Sequence, residues 1–185
     1  DCYTLAGMFR RGEGAAKDLG KGAGMLKKAC ELQVMEACFD LGNAPLAAEG
    51  VGKEPAKAAL LFDKACTGGF GAACLRLAAL YQSGSDLEKD LTHASALLEK
   101  ACTAGVVRGC GILAAMRLEG LGVAKDAAIA APLVAKACEG GDSESCGRLG
   151  RLYRSGEGVK RDPVRALKLA EQSCTAGYMA GCYDV

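Results

Sequence analysis

The chain has 185 residues, half of them apolar but only 5% aromatic, and its 23 basic and 22 acidic side chains leave a net charge of +1. That length fits one ordinary domain or one short solenoid. The near-cancelling charge excludes a dedicated nucleic-acid binder, which carries a clear basic excess, and no apolar run reaches the roughly 18 residues of a membrane-spanning helix. No secretory leader is visible. The chain opens on Asp1 rather than Met, so the natural N-terminus is expected further upstream.

Cysteine spacing sets the organisation. Cys2, Cys30, Cys38, Cys66, Cys74, Cys102, Cys110, Cys138, Cys146, Cys174 and Cys182 are separated by alternating gaps of 28 and 8 residues, a period of 36 that never slips. A period of that length marks stacked helical hairpins. The fold class read from it is all-α: an α/α solenoid of helix-turn-helix repeats forming one domain over 1–185, with repeats at about 2–37, 38–73, 74–109, 110–145 and 146–181.

The repeats follow one template, a helix A and a helix B, each with its own departures. In the first, Leu5 and Ala6 belong to the core of helix A, Asp18 starts helix B, Met25 and Ala29 face inward, and Gln33 stands where later repeats close on Gly. Gly14 to Lys21 faintly resembles a phosphate-binding loop, but its glycines are one residue too far apart and Gly22 follows where Ser or Thr is needed. It reads as an inter-helix turn. In the second repeat Leu41 and Gly42 continue the core columns, Pro45 is expected to shorten or bend helix A, and Glu54-Pro55 opens helix B. The third has Leu77 and Ala78, then Ser85-Asp86-Leu87 in the turn, then Asp90 and the lone histidine, His93, read as a solvated residue near a helix start. The fourth has Leu113, Ala114 and Asp126, with Pro132 expected to kink helix B ahead of Leu133. In the fifth, Cys146, Leu149, Gly150 and Tyr153 fall on one helical face. Gly156-Glu157-Gly158 stops that helix, because Gly accepts the left-handed C-cap geometry. Asp162-Pro163 starts the next one, with Ala166, Leu169 and Ala170 on its inner face. Lys28, Lys64, Lys100 and Lys136 sit in the last turns of their B helices, where a cation complements the helix dipole.

Each cysteine pair eight apart brackets the turn from one helix B into the next helix A, and an antiparallel hairpin brings those ends together. The expected disulfides are Cys30–Cys38, Cys66–Cys74, Cys102–Cys110, Cys138–Cys146 and Cys174–Cys182. Each closes a ring of about nine residues, worth roughly 2.5 kcal/mol in the chain-entropy account. Cys2 is left over, its expected partner lying upstream of Asp1. Zinc needs four converging ligands, and successive pairs about 10 Å apart do not share one ion, so no metal and no cofactor is expected. The bonds in turn imply an oxidising compartment, secreted or periplasmic.

The segment from Leu149 to Tyr178, with its Leu-Gly pair, Tyr153, Gly-x-Gly-Val, Asp162 and closing Gly177, resembles the Sel-like repeat (SLR), a relative of the tetratricopeptide repeat. The likeness runs through every repeat. The cysteine pairs eight apart resemble a cysteine-rich subgroup typified by secreted Helicobacter proteins. That resemblance implies a right-handed superhelix, secretion and protein–protein interaction, and for some members penicillin binding with weak β-lactamase activity.

The residues themselves offer no catalytic constellation. None of the seven serines has Lys three positions on, and no Gly-x-Ser-x-Gly elbow occurs. The reading is therefore a protein- or peptide-binding scaffold using the helix A face, with no nucleic acid and no membrane insertion. The alternatives are binding or slow hydrolysis of β-lactams or cell-wall peptides, and a structural spacer within a longer protein. The face opposite the helix A core carries Tyr3, Thr4, Gly7, Arg10 and Arg11, then Phe39, Asp40, Asn43 and Leu46, then Leu75, Arg76, Ala79 and Gln82. Ile112, Ala115 and Leu118 follow as an apolar stripe, and Arg148, Arg151 and Arg154 as a basic one. Arg76, Tyr81, Ile112, Leu118, Arg148, Arg151 and Arg154 are the expected partner contacts. The arginine forks suit an acidic segment or a C-terminal carboxylate.

Overall fold

A computed structural model describes residues 1–47 and 54–183. The side chains of Pro45 and Leu46, named above, lie outside the described part. The regular elements among the described residues are all helices, grouped into two compact units, Asp1–Lys89 and Asp90–Val185.

The first unit holds α1 (Cys2–Arg11), α2 (Leu19–Glu31), α3 (Met35–Ala47), α4 (Pro55–Thr67) and α5 (Gly71–Ser83), each packed on its chain neighbour. The second holds α6 (Leu91–Thr103), α7 (Val107–Glu119), α8 (Ala127–Glu139), α9 (Ser143–Ser155), α10 (Pro163–Thr175) and the short α11 (Met179–Tyr183), packed the same way. Odd-numbered helices are the A helices of the repeats and even-numbered ones the B helices.

The B helices start where the acidic column predicts. Asp18, Asp90, Asp126 and Asp162 each accept a backbone N–H three residues on, at 2.8–3.0 Å. Glu54 makes no such cap; Lys57 takes its carboxylate at 2.8 Å instead. From α3 onward the A helices begin three residues before the cysteine that was expected to open them, whereas α1 begins on Cys2. Val106 and Phe70 precede two of them without any side-chain cap, so no polar signal marks those starts. The A helices end on left-handed Gly12, Gly84, Gly120 and Gly156. The first, fourth and fifth repeats add a second left-handed glycine two residues later, and a Cβ on that of the fifth, Gly158, would collide with the backbone of Ala127. Ser85-Asp86-Leu87 makes its turn with Gly84 alone.

Neither proline ends its helix. α3 runs to Ala47 and matches the other full-length helices at 13 residues, so Pro45 does not shorten it. α8 is continuous through Pro132. Pro132 and Ala128, four residues earlier, both face solvent, so the carbonyl deprived of its N–H partner is hydrated rather than stranded.

The core runs along the facing sides of each helix pair. The inner column of the B helices is Leu26, Phe62, Leu98, Val134 and Ala170, all buried. The neighbouring column read from sequence, at Met25, Leu61, Leu133 and Leu169, is only half-buried, Leu97 excepted. Leu77, Leu113 and Leu149 are buried, whereas Leu5 is 40% exposed on α1, which has a packing partner on one side only. Small residues on the A helices admit the large ones opposite: a Cβ on Gly42 would stand 2.8 Å from the ring of Phe62.

Five disulfides, Cys30–Cys38, Cys66–Cys74, Cys102–Cys110, Cys138–Cys146 and Cys174–Cys182, tie each helix B to the following helix A, with Cα atoms 4.5–4.7 Å apart. Cys2 is a free, half-buried thiol. The lysine column does more than complement its own helix dipole. Lys64 Nζ donates to the Cys30 carbonyl and Lys136 Nζ to the Cys102 carbonyl, each at 2.9 Å. Each therefore caps the end of the preceding helix B beside its disulfide.

Candidate functional site

On the first unit the polar groups of the A helices largely satisfy one another. Tyr3 Oη donates to Asp40 at 3.3 Å and Arg10 pairs with the same carboxylate at 3.2 Å. Burial, reinforced by the Asp40 charge, raises the Tyr3 pKa above its ordinary value. Arg76 is exposed on α5 and donates to Asn43 Oδ1 at 3.3 Å, and Tyr81 lies half-buried on the same helix.

The second unit presents two cavities along the A helices α7 and α9. The larger, about 680 Å³, has an apolar side made of Val107, Gly111, Ile112 and Ala115 and a polar side made of Asp142, Glu144 and Ser145, with Arg108 and Arg148 at its margins. Asp142 is the N-cap of α9, its Oδ2 accepting the Ser145 backbone N–H at 3.2 Å and the Ser145 hydroxyl. Ser145 is 1% exposed, so its hydroxyl is fixed by that bond. The smaller cavity, about 370 Å³, is lined by Leu118, Glu119, Lys125, Arg148, Arg151, Arg154 and Glu157. Four cations there face two carboxylates, and Lys125 reaches Glu157 at 3.7 Å.

Arg148 lines both cavities. Its side chain is 25% exposed and donates to Glu144 Oε1 at 2.6 Å, a pair one helical turn apart on α9. It is thus a positioned cation. Nor is the Ile112, Ala115 and Leu118 stripe openly exposed: all three are half-buried, the first two in the larger cavity and Leu118 in the smaller. The structure therefore gathers Ile112, Leu118, Arg148, Arg151 and Arg154 along one helix pair, while Arg76 and Tyr81 belong to the first unit. Sequence reasoning missed Gly111, Asp142 and Ser145. No group of three or more His, Cys, Asp or Glu side chains able to hold a metal ion occurs among the described residues, and none of the described helices is long and apolar enough to cross a membrane.

Comparison with solved structures returns repeat proteins of the same build. A protective antigen of uropathogenic Escherichia coli displaying an SLR fold aligns with a TM-score of 0.88 and 27% identity, over 97% of this chain and 38% of that one. This chain therefore spans well under half the length of that antigen. The Helicobacter pylori cysteine rich protein B aligns with a TM-score of 0.57 and 33% identity, over 72% of this chain and 96% of that one. An immunity protein of Pseudomonas aeruginosa shares the fold at 20% identity and a TM-score of 0.52, over 98% of this chain and 67% of that one. No curated protein matches. The Sel1 repeat model matches five times, at residues 2–34, 36–70, 71–106, 109–142 and 143–178, and the chain belongs to the Sel1 repeat family.

Proposed function

We propose that this Sel1 repeat scaffold works outside the cytoplasm as a protein-binding module, and that the α7–α9 face of the second unit receives an acidic segment or C-terminal carboxylate of its partner. The observation that carries this is the smaller cavity, where Arg148, Arg151, Arg154 and Lys125 exceed Glu119, Glu157 and the Glu144 partner of Arg148 by one charge beside the apolar surface of Leu118. Arginine forks in a partly enclosed setting suit carboxylates, because two parallel N–H groups meet two oxygens at reduced solvent screening. Extended faces of equivalent helices are also where repeat proteins commonly bind. The extracytoplasmic setting is supported by the five disulfides and by the similarity to the Helicobacter pylori protein.

A fluorescent Glu-rich peptide titrated by polarisation tests the docking reading. Binding to the wild type that weakens about tenfold in Arg151→Gln/Arg154→Gln, at the level of one charge-assisted bond or more, and falls with added salt, is the expected result. Equal binding by the variant sinks it. The compartment is tested on protein recovered from its native source by intact mass after alkylation, with and without reduction. Five bonds and one alkylated cysteine are expected, and eleven free thiols would refute it.

A further inference from the structure

The larger cavity has an origin that points to what fills it. At equivalent positions of the 36-residue period the A helices carry Tyr3, Phe39, Leu75, Gly111 and Gly147, and Val34, Phe70, Val106, Asp142 and Tyr178 stand just before the A helices that follow. Within the units, members of the two columns meet. In the first unit the rings of Phe39 and Phe70 lie 5.2 Å apart between centroids, tilted by 58°. In the second, a Cβ on Gly147 would stand 3.3 Å from two ring carbons of Tyr178, so the tyrosine fills the room its glycine partner leaves. At the α7–α9 junction both members have lost their apolar bulk. Gly111 contributes no side chain, and a Cβ there would meet the Ser145 hydroxyl at 2.9 Å and Asp142 Oδ2 at 3.1 Å rather than a ring. Those two polar groups pack against Gly111, and the cavity of about 680 Å³ opens beside them.

Its chemistry is amphipathic. Val107, Ile112 and Ala115 offer an apolar wall, and Asp142 an acceptor whose Oδ2 is taken by Ser145 while Oδ1 receives no hydrogen bond from the described residues. We propose that this notch seats one tyrosine or tryptophan side chain of the partner protein. Its ring lies against Val107, Ile112 and Ala115, in the role Phe70 and Tyr178 play at the other junctions, and its ring O–H or N–H donates to Asp142 Oδ1. A phenylalanine has the ring but would cover the carboxylate without satisfying it, which costs affinity; a leucine lacks both. Tyrosine and tryptophan supply a large apolar body with one polar handle at low entropic cost. Because Arg148 borders both cavities, the anchor sits next to the acidic segment proposed above. This inference rests on that docking reading and specifies its anchor.

The test uses the full chain, isotopically labelled, titrated with N-acetyl-tyrosinamide, N-acetyl-tryptophanamide, N-acetyl-phenylalaninamide and N-acetyl-leucinamide while backbone amide shifts are followed. Saturating shifts centred on Gly111, Ile112, Ala115 and Asp142 are expected for the tyrosine and tryptophan probes, with the phenylalanine probe about tenfold weaker and the leucine probe weaker still. Gly111→Leu/Asp142→Val fills the notch with apolar bulk, removes its acceptor and should abolish the response, although it also removes the α9 N-cap and the partner of the buried Ser145 hydroxyl. Ile112→Ser, which leaves the notch open but removes its apolar wall, should weaken both aromatic probes and serves if the double variant does not fold. Absence of shifts at the notch, equal affinity for the phenylalanine probe, or an undiminished response in the folded double variant or in Ile112→Ser overturns the proposal. The Glu-rich peptide is titrated into the same samples: its retention while the aromatic response fails removes the anchor alone, and loss of both removes the docking face as well.

Discussion

Gln33 is the one non-glycine residue with positive φ among the described residues, at 64°. The equivalent turns of the other repeats place Gly69, Gly105, Gly141 and Gly177 there, with φ between 84° and 93°. None of those four glycines has a heavy atom within 4 Å of where a Cβ would stand. Space does not select glycine in this column; backbone conformation does. Holding a residue with a Cβ in the left-handed region costs about 1–2 kcal/mol, and the greater backbone freedom of an unfolded glycine returns about 0.5–1 kcal/mol of that. Gln33→Gly should therefore stabilise the first unit by about 0.5–1 kcal/mol, which at an m-value of about 2 kcal/mol/M raises the urea midpoint by about 0.25–0.5 M. Gly69→Gln, in the same unit and an equally open turn, should lower it by a similar amount. Circular dichroism through urea titrations of the full chain, disulfides intact, reads both. An unchanged midpoint for Gln33→Gly together with a neutral Gly69→Gln would refute the claim that conformation alone governs this column.

Three further outcomes follow from single contacts. Lys136→Met removes the cap on the Cys102 carbonyl at 2.9 Å and should destabilise the second unit by about 1 kcal/mol; Lys168→Met, on the solvent side of α10, should be neutral in the same melts. Under limiting reductant Cys174–Cys182 should open first, because both its cysteines are half-buried while those of the other bonds are 5% exposed or less. Mass mapping of the first alkylated pair checks this, and labelling of any other pair ahead of it contradicts it. The Asp18 carboxyl is held below its ordinary range, chiefly by the backbone N–H of Lys21. Its cap therefore contributes stability above the unfolded carboxyl value and loses it as pH falls through the lower folded value. The stability difference between wild type and Asp18→Ala should shrink through that acid window and stay flat near neutrality.

The fold was largely legible because its signals are local and repeated. Cysteines eight apart across a turn, an acidic residue ahead of each helix B and a glycine after each helix A all act within a few residues. The starts of the A helices were not legible, because Phe70 and Val106 give those helices no side-chain cap; tertiary packing of the first turn stands in for capping. How Pro132 is accommodated was not legible either, because a proline's cost depends on whether the freed carbonyl can meet water, and its solvent-facing position is a tertiary fact. The pairing of Arg148 with Glu144 follows from their spacing of four residues and was available in the sequence. The lysine bonds to Cys30 and Cys102 were not, since they span 34 residues between neighbouring B helices.

The same columns separate compensated from uncompensated substitutions. At Gly42 the lost side chain is answered by Phe62, whose ring occupies the room in the core. At Gly147 it is answered by Tyr178. In both places a small residue and a large one exchange across a junction, packing is kept, and a structural account is sufficient. At Gly111 the facing residue changes in the same direction: Asp142 brings a carboxylate where the column otherwise holds Val34, Phe70, Val106 and Tyr178. The Ser145 hydroxyl and Asp142 Oδ2 take up the room beside Gly111, and a cavity with an apolar wall and an open acceptor remains next to them. A vacancy of that size forfeits dispersion contacts and stabilises nothing by itself. Gly111→Leu/Asp142→Val removes the α9 N-cap and the partner of the buried Ser145 hydroxyl, and should lower the stability of the second unit while removing the aromatic response. A gain in stability with binding intact would show instead that the cavity is a packing defect of the fourth repeat.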